Sequence, residues 1–136
     1  MRPNKAFMKK TALPKPTDAE LSILRVLWQR GPSTVRQVMD ELNRAHRTGY
    51  TTVLKLMQIM SEKGLVKRDD AERSHVYEVA LTEEQTQQQL VNHLLDRAFA
   101  GSAQKLVMQA LAGKKATSTE LAEIRRLLDA IEGGSR

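Results

Sequence analysis

The sequence predicts a mainly α-helical fold that contains one small β-hairpin and ends in a second, purely helical region. Three short segments between residues 17 and 63 repeat apolar residues at helical spacing. Two segments between residues 65 and 81 are strand-like and flank a polar turn. From residue 82 onward, leucines recur at helical spacing. Three helices followed by a hairpin have the order of a winged helix-turn-helix domain, which we place at residues 17–81.

The first helix begins at a capping box. Thr17 and Glu20 have the spacing at which each side chain bonds the backbone amide of the other residue. Apolar residues follow as far as Trp28, which we interpret as a core anchor because it continues the stripe. A Gly-Pro pair at 31–32 ends the helix. Residues 1–16 carry five basic residues and three prolines without periodicity. We interpret them as a basic disordered arm, either solvated or lying in a DNA minor groove.

The second and third helices are short and amphipathic. Thr34 and Gln37 have capping-box spacing at the start of the second helix. The third helix is predicted from about Tyr50 to Lys63, and Gly64 follows it where a glycine commonly ends a helix. Its predicted buried stripe is Val53, Leu56, Met57 and Met60. Helices this short are stable only when they bury their apolar faces against one another.

Two strand-like segments follow the third helix. They are Leu65–Arg68 and His75–Leu81, and the second alternates so that Tyr77, Val79 and Leu81 share a face. The turn between them, residues 69–74, is polar apart from one alanine. A two-stranded hairpin alone is marginally stable, so we expect it to pack on the helices.

Residues 82–132 are predicted to form two or three amphipathic helices. Helix starts are expected at Thr82 and Thr117, with a break at residues 101–102. About 50 residues of helix cannot bury so many leucines among themselves, so these helices either fold back on the first domain or pair with a second copy. We favour a homodimer, since two-fold dimers are the commonest oligomers. Residues 133–136 are expected to fray. The residues expected at the dimer interface are Leu90, Leu94, Leu95, Phe99, Leu106, Val107, Leu111, Leu121, Ile124, Leu127 and Leu128.

The charge is concentrated in the first part of the chain. The net charge is +6; residues 1–81 carry 15 Lys and Arg against 9 Asp and Glu, and residues 82–136 carry seven of each. A localised basic region fits a polyanionic partner. The chain has no cysteine, which excludes disulfides and thiolate metal sites and is consistent with the cytoplasm. No apolar run is long enough to insert across a bilayer.

Enzyme chemistry is not indicated. The three histidines share no metal-ligand spacing with one another or with carboxylates, and no P-loop, nucleophile elbow or dinucleotide-binding glycine pattern is present. We therefore expect neither a catalytic site nor a metal or cofactor.

The third helix and the hairpin are the predicted DNA-binding surface. Small polar and basic residues occupy the exposed side of the helix, where threonines and Lys55 could contact bases or phosphates and Gln58 could contact adenine. Basic residues flanking the hairpin would hold the DNA backbone beside it. The predicted DNA-binding residues are Tyr50, Thr51, Thr52, Lys55, Gln58, Arg47, Lys67, Arg68, Arg73 and His75.

These segments resemble the penicillinase-repressor family, the BlaI/MecI/CopY repressors. The resemblance rests on TDAELSILRVLW, STVRQVMDEL, GYTTVLKLMQIMSEKGLVKR and RSHVYEV, and on AFAGSAQKLVMQAL and STELAEIRRLLDAI in the C-terminal part. It covers about residues 16–132. It implies a homodimeric transcriptional repressor that binds a palindromic operator in double-stranded DNA.

The resemblance also implies a mode of induction. In the antibiotic-responsive branch, a membrane sensor with a zinc metalloprotease domain triggers cleavage in the dimerisation region, and the repressor leaves the DNA. The regulated genes there concern antibiotic resistance, so a resistance or cell-envelope stress operon is expected. The corresponding region here includes Phe99, Ala100 and Gly101, without the Asn-Phe bond of characterised members.

Other departures from the family concern the DNA-binding region and metal sensing. Ile59 stands where the family often has an arginine, and Val76 stands where a further arginine is common in the wing. The turn lacks the usual glycine and carries acidic residues that would repel phosphate unless the tip stays clear of DNA. The copper-responsive branch uses C-terminal cysteines, which this chain lacks.

Two alternatives remain open from the sequence. The winged-helix domain could instead bind a protein, which the acidic turn and the neutral C-terminal half would suit. The chain could also be a DNA-binding sensor of a small ligand, without proteolytic control.

Overall fold

The computed structural model of the chain describes residues 15–71, 73–113 and 116–134. Most of the predicted basic arm, up to residue 14, lies outside the described residues, as do the last two residues of the predicted frayed tail. The chain divides into two compact units, the first ending at Val91 and the second beginning at Asn92.

The first unit contains three helices and three short strands before a fourth helix begins. The predicted combination of a mainly α fold with a small β element is confirmed. In chain order the elements are α1 (Asp18–Arg30), β1 (Ser33–Thr34), α2 (Val35–Leu42), α3 (Tyr50–Lys63), β2 (Val66–Asp69), β3 (Val76–Val79) and α4 (Glu83–Ala98).

Side-chain caps define the starts of α1 and α2, as the sequence predicted. The Thr17 hydroxyl accepts the Glu20 amide at 3.2 Å, and the Glu20 carboxylate accepts the Thr17 amide at 2.9 Å. Thr34 and Gln37 make the same reciprocal pair at the start of α2. Gly64 ends α3 in the left-handed conformation with φ 86°, which a glycine adopts without a Cβ clash. These contacts are local in sequence, which is why their spacing predicts them.

The sheet has three antiparallel strands in the order β1-β3-β2, so the predicted two-stranded hairpin was incomplete. The hairpin itself is present, and Ser33 and Thr34 add a short third strand opposite Tyr77 and Val76. An N-cap residue needs extended backbone, and Thr34 has φ −80° and ψ 165°. Thr34 can therefore cap α2 and also pair with β3.

One apolar core joins the helices to the inner face of the sheet. Its only aromatic member among the described residues is Tyr77, which is 1% exposed. Trp28 packs against this core and donates its Nε1–H to the Leu81 carbonyl at 3.4 Å, which confirms its predicted anchoring role. The fully buried members include Ile23, Val38, Val53, Met57 and Met60. This core holds α3 by one face and leaves the other face free.

A partly buried ion pair ties α1 to α3. The Lys63 ammonium lies 2.6 Å from the Glu20 carboxylate, whose side chain is 3% exposed. Burial alone would raise the pKa of Glu20. The hydrogen bonds from Lys63 and from the Thr17 amide, together with the Lys63 charge, outweigh it and lower the pKa below the ordinary value of 4.5.

Helix α4 crosses the boundary between the two units, whereas the sequence predicted a domain boundary between residues 81 and 82. Two further helices follow it, α5 (Ala103–Gly113) and α6 (Ser118–Gly134). The predicted frayed tail began at Gly133, but α6 continues to Gly134, within the one or two residues by which helix ends vary.

Candidate nucleic-acid interface

One side of α3 faces solvent along its whole length. Val53, Met57 and Met60 are buried on the other side, as predicted except that Leu56 is only half-buried. Thr51, Thr52 and Lys55 are all exposed in the first two turns.

On the exposed side of α3, one row of residues repeats at one-turn spacing, and Thr52 lies beside it. Thr51 and Lys55 are one turn apart, and Ile59 follows Lys55 by another turn. Thr52 lies about 100° around the helix from Thr51, because successive residues turn by that angle. Ile59 is 37% exposed, so an apolar side chain stands at the position where the family often has an arginine. An apolar group on such a face is suited to contact a thymine methyl.

A groove of about 770 Å³ runs beside this exposed side. It is lined by the start of α2, by Tyr50, Leu54 and Gln58 of α3, and by the wing. We use "wing" for β2, β3 and the turn that joins them. Asp40 is the only residue with a carboxylate side chain among the described residues that line the groove. Its polar and basic lining includes Arg36, Tyr50, Gln58, Arg68, Arg73 and His75. We call it the basic groove.

Strand register places the two basic residues of β2 on opposite faces of the sheet. Arg68 pairs with Tyr77, and Lys67 pairs with Glu78. Directly opposite residues share a face, so Arg68 is on the inner face with buried Tyr77, and Lys67 is on the outer face beside a carboxylate. The structure therefore brings Arg68 to the basic groove with Arg73 and His75, but not Lys67.

An ion pair at the wing engages Arg68. Its Nε lies 2.7 Å from a carboxylate oxygen of Asp70, and His75 Nε2 is 3.8 Å from the same oxygen. Hydrogen bonding with Tyr77, followed by the pairing with Asp70, raises the pKa of Arg68. The sequence led us to expect that the acidic turn would repel phosphate unless its tip stayed clear of DNA. The structure shows that Asp70 is partly neutralised and, in turn, occupies Arg68.

Arg47 lies apart from the wing, in the loop between α2 and α3. The loop is held by the Asn43 side chain, which accepts the Thr48 amide at 2.6 Å. Arg47 is exposed, and neither it nor Lys55 forms an ion pair with any described residue. Both side chains are thus available for a polyanion.

Arg36 is a basic residue of the groove that was not among the predicted DNA-binding residues. It lies in the first turn of α2, and its guanidinium carbon is 5.7 Å from the centre of the Tyr50 ring. The sequence carried a signal for it, since Arg36 follows the capping residue Thr34 by two positions and lies off the buried stripe of Val35 and Val38. Its link to Tyr50 depends on how α2 packs on α3, which spacing along the chain does not show.

The second unit exposes many of the residues expected at a dimer interface. Leu94 is 46% exposed and Leu127 is 59% exposed. Other large apolar side chains exposed in this unit are Val107, Met108, Leu111, Leu128 and Ile131. Apolar groups at this density mark an interaction surface more often than an ordinary protein surface.

The predicted cleavage region lies in the turn between α4 and α5. Ala100 has φ 49° and Gly101 has φ 80°, so the chain leaves helical geometry there. Both residues are exposed, and Phe99 is half-buried. The Gly101 amide donates to the Leu95 carbonyl at 2.8 Å, as in a helix C-terminal turn.

Within residues 15–71, 73–113 and 116–134, no three His, Asp or Glu side chains are placed to hold a metal ion. No helix in the same residues has the length and apolarity needed to cross a membrane.

Three helices, a three-stranded sheet that includes the wing, and an exposed polar helix face beside a basic groove define a winged-helix DNA-binding protein. A family profile described as "Penicillinase repressor" matches residues 16–130, and the chain belongs to that family. The family consists of DNA-binding transcriptional repressors rather than enzymes, as the sequence predicted.

The chain is similar to curated relatives over most of its length. It is 30% identical to the transcriptional regulator BlaI of Mycobacterium tuberculosis, over 86% of this chain and 85% of that protein. It is 23% identical to the penicillinase repressor of Bacillus licheniformis, over 90% of this chain and 94% of that protein. Among solved structures, the DNA-binding domain of the repressor BlaI matches with a TM-score of 0.48 and 24% identity, over 52% of this chain and 87% of that domain.

Proposed function

We propose that this repressor binds a palindromic operator as a homodimer and is released by cleavage in its dimerisation region. The observation that supports operator binding best is the exposed side of α3, where Thr51 and Lys55 stand beside the basic groove. Hydroxyl, methyl and ammonium groups on one helix face suit contacts to base edges, and the arginines beside them suit phosphates. A solved structure of the monomeric form of Bacillus licheniformis BlaI is a complex with the blaP half-operator.

A homodimer is supported by the apolar side chains that the second unit exposes. A two-fold dimer presents two α3 helices, and such proteins bind half-sites related by the same symmetry. The predicted interface residues Leu94, Val107, Leu111, Leu127 and Leu128 are exposed and available for this contact.

Proteolytic release is supported by the exposed turn at Ala100 and Gly101. A protease needs extended backbone, which an interhelical turn supplies more readily than a helix interior. We propose a membrane metalloprotease sensor as the trigger, and an antibiotic-resistance or cell-envelope stress operon as the regulated genes. Operator binding would take place in the cytoplasm.

A gel-shift assay with the promoter of the protein's own transcription unit tests operator binding. A shuffled duplex of the same length and composition is the control. We expect the promoter to be bound at least about a thousandfold more tightly, the lower range for specific regulators at physiological salt. Equal affinity for the two duplexes would contradict an operator-specific function.

A further inference from the structure

The guanidinium of Arg36 is held at the edge of the basic groove by the ring of Tyr50. The two residues come from different helices, and 5.7 Å from the ring centre is within the range of a cation–π contact. Both residues are exposed, so the ring restrains the guanidinium without burying it. The N–H groups at the edge of a stacked guanidinium stay available for hydrogen bonds.

The charges around Arg36 favour an anionic occupant of the groove. Arg36, Arg73 and His75 line it, and Asp40 is the one acidic residue among the described lining residues. Arg68 also lines it, but Asp70 already engages that guanidinium. Arg36 and Arg73 are therefore the arginines of the groove that have no carboxylate partner among the described residues.

The position of the groove selects one kind of anion. Tyr50 and Gln58 line it from α3, and the Thr51–Lys55 row lies directly beside them on the same helix. When that row enters a major groove, the neighbouring sugar-phosphate strand must run alongside α3. We propose that Arg36, positioned by the Tyr50 ring, binds a phosphate of the operator strand that lies in the basic groove. The proposal rests on the proposed operator binding and assigns two residues to one phosphate contact.

Arg36→Ala tests the phosphate contact. Affinities for the promoter duplex and the shuffled duplex are measured by fluorescence anisotropy across a salt series. A phosphate contact carries no sequence information, so both affinities should fall by the same factor, about eightfold per bound subunit near 0.1 M salt. The salt slope should fall by about 0.9 per subunit.

The matched control is Arg25→Ala. Arg25 is an exposed arginine that lines a different groove, between α1 and the end of α2, with Ser22, Gln29 and His46. The Arg25→Ala substitution removes the same charge from a surface away from α3. We expect the salt slope of this variant to stay within error of the unmodified protein.

Variants at Tyr50 test the positioning role. Tyr50→Phe keeps the ring and should lower the salt slope less than Tyr50→Leu, which removes the ring and should lower the slope as Arg36→Ala does. The double variant Arg36→Ala with Tyr50→Leu should lose no further slope, because both changes remove one contact. Thermal unfolding of each variant checks that the fold is retained, as expected for exposed side chains.

Three results would overturn the proposal. The first is an Arg36→Ala variant that behaves as Arg25→Ala does. The second is a loss confined to the promoter duplex, which would make Arg36 a base contact. The third is additive loss in the double variant. Failure of the proposed operator recognition gives a result that differs from these three. The unmodified protein would then bind both duplexes equally, while Arg36→Ala could still lower both affinities and the salt slope.

Discussion

At the scale of single residues, the proposed DNA-binding surface combines cations that have no ion-pair partner among the described residues with one that is already paired. Lys55 and Arg47 have no ion-pair partner among the described residues, and both are exposed. Arg68 is held by Asp70 at 2.7 Å. A paired cation must give up its carboxylate before it can bind phosphate, so Arg68 contributes less to DNA binding than its place in the groove suggests.

Asp70→Asn is expected to tighten DNA binding. The change removes the charge that occupies Arg68 and that would repel phosphate. Affinity should rise for the promoter and the shuffled duplex alike, and the salt slope should become steeper by up to about 0.9 per subunit.

Glu78→Gln is the control for this change, because it removes one carboxylate from the outer face of the same sheet, opposite Lys67. Weaker binding by Asp70→Asn, or an equal gain from Glu78→Gln, would show that the ion pair does not limit Arg68.

At the scale of the elements, the helices are defined locally and the DNA-binding surface is not. Capping pairs such as Thr17 with Glu20, and stripes such as Val53 with Met57, repeat at spacings that a helix dictates, so the sequence predicts them. Which face of the sheet Lys67 and Arg68 occupy depends on the register of β2 against β3. The presence of a third strand depends on the pairing of β1 with β3. The placement of Arg36 depends likewise on helix packing. None of these long-range contacts leaves a spacing pattern in the sequence.

Glu20→Gln is expected to loosen the attachment of α3 to α1. The amide can still accept the Thr17 N–H but loses the ion pair with Lys63. Because Lys63 is about a third exposed, the loss should lie between the values for surface and buried pairs, about 1–2 kcal/mol in the free energy of unfolding at pH 7.

The same variant has a defined pH dependence. The pKa of Glu20 is lowered on folding, so the ionised form stabilises the native state above its ordinary pKa of 4.5. That contribution is lost as the pH falls below 4.5 through the folded pKa. Urea unfolding at several pH values should therefore show the difference between Glu20→Gln and the unmodified protein shrinking below pH 4.5.

Glu62→Gln, an exposed neighbour on α3, is the control and should have little effect. A difference for Glu20→Gln that is independent of pH would contradict the assigned ion pair.

At the scale of the whole molecule, the chain combines a DNA-binding unit with a unit that exposes apolar residues. The acidic turn had left protein binding by the winged-helix domain open, but pairing of Asp70 with Arg68 weakens that argument. The exposed leucines lie instead in the second unit, where we propose the homodimer contact. The proposed dimer would bring two α3 helices to one operator, so affinity should depend on residues that do not touch DNA.

Leu94→Asp combined with Leu127→Asp is expected to abolish the dimer. Both leucines are exposed in the second unit, and two buried charges without partners would oppose association. Sedimentation should give a monomer, and promoter affinity should fall with it, while the first unit keeps its thermal unfolding transition.

The control carries aspartates at exposed polar positions of the same unit, Gln104→Asp with Thr119→Asp. A persisting dimer in the leucine variant would contradict the proposed interface.

Lys55→Ala tests most directly whether the exposed side of α3 recognises operator bases. The measured quantity is the ratio of affinities for the promoter and the shuffled duplex at fixed salt, with Lys105→Ala as a control for loss of one exposed lysine. If Lys55 contacts a base, the ratio should fall by the equivalent of about 1–3 kcal/mol, and Lys105→Ala should leave it unchanged. An unchanged ratio for Lys55→Ala would contradict base recognition by this residue.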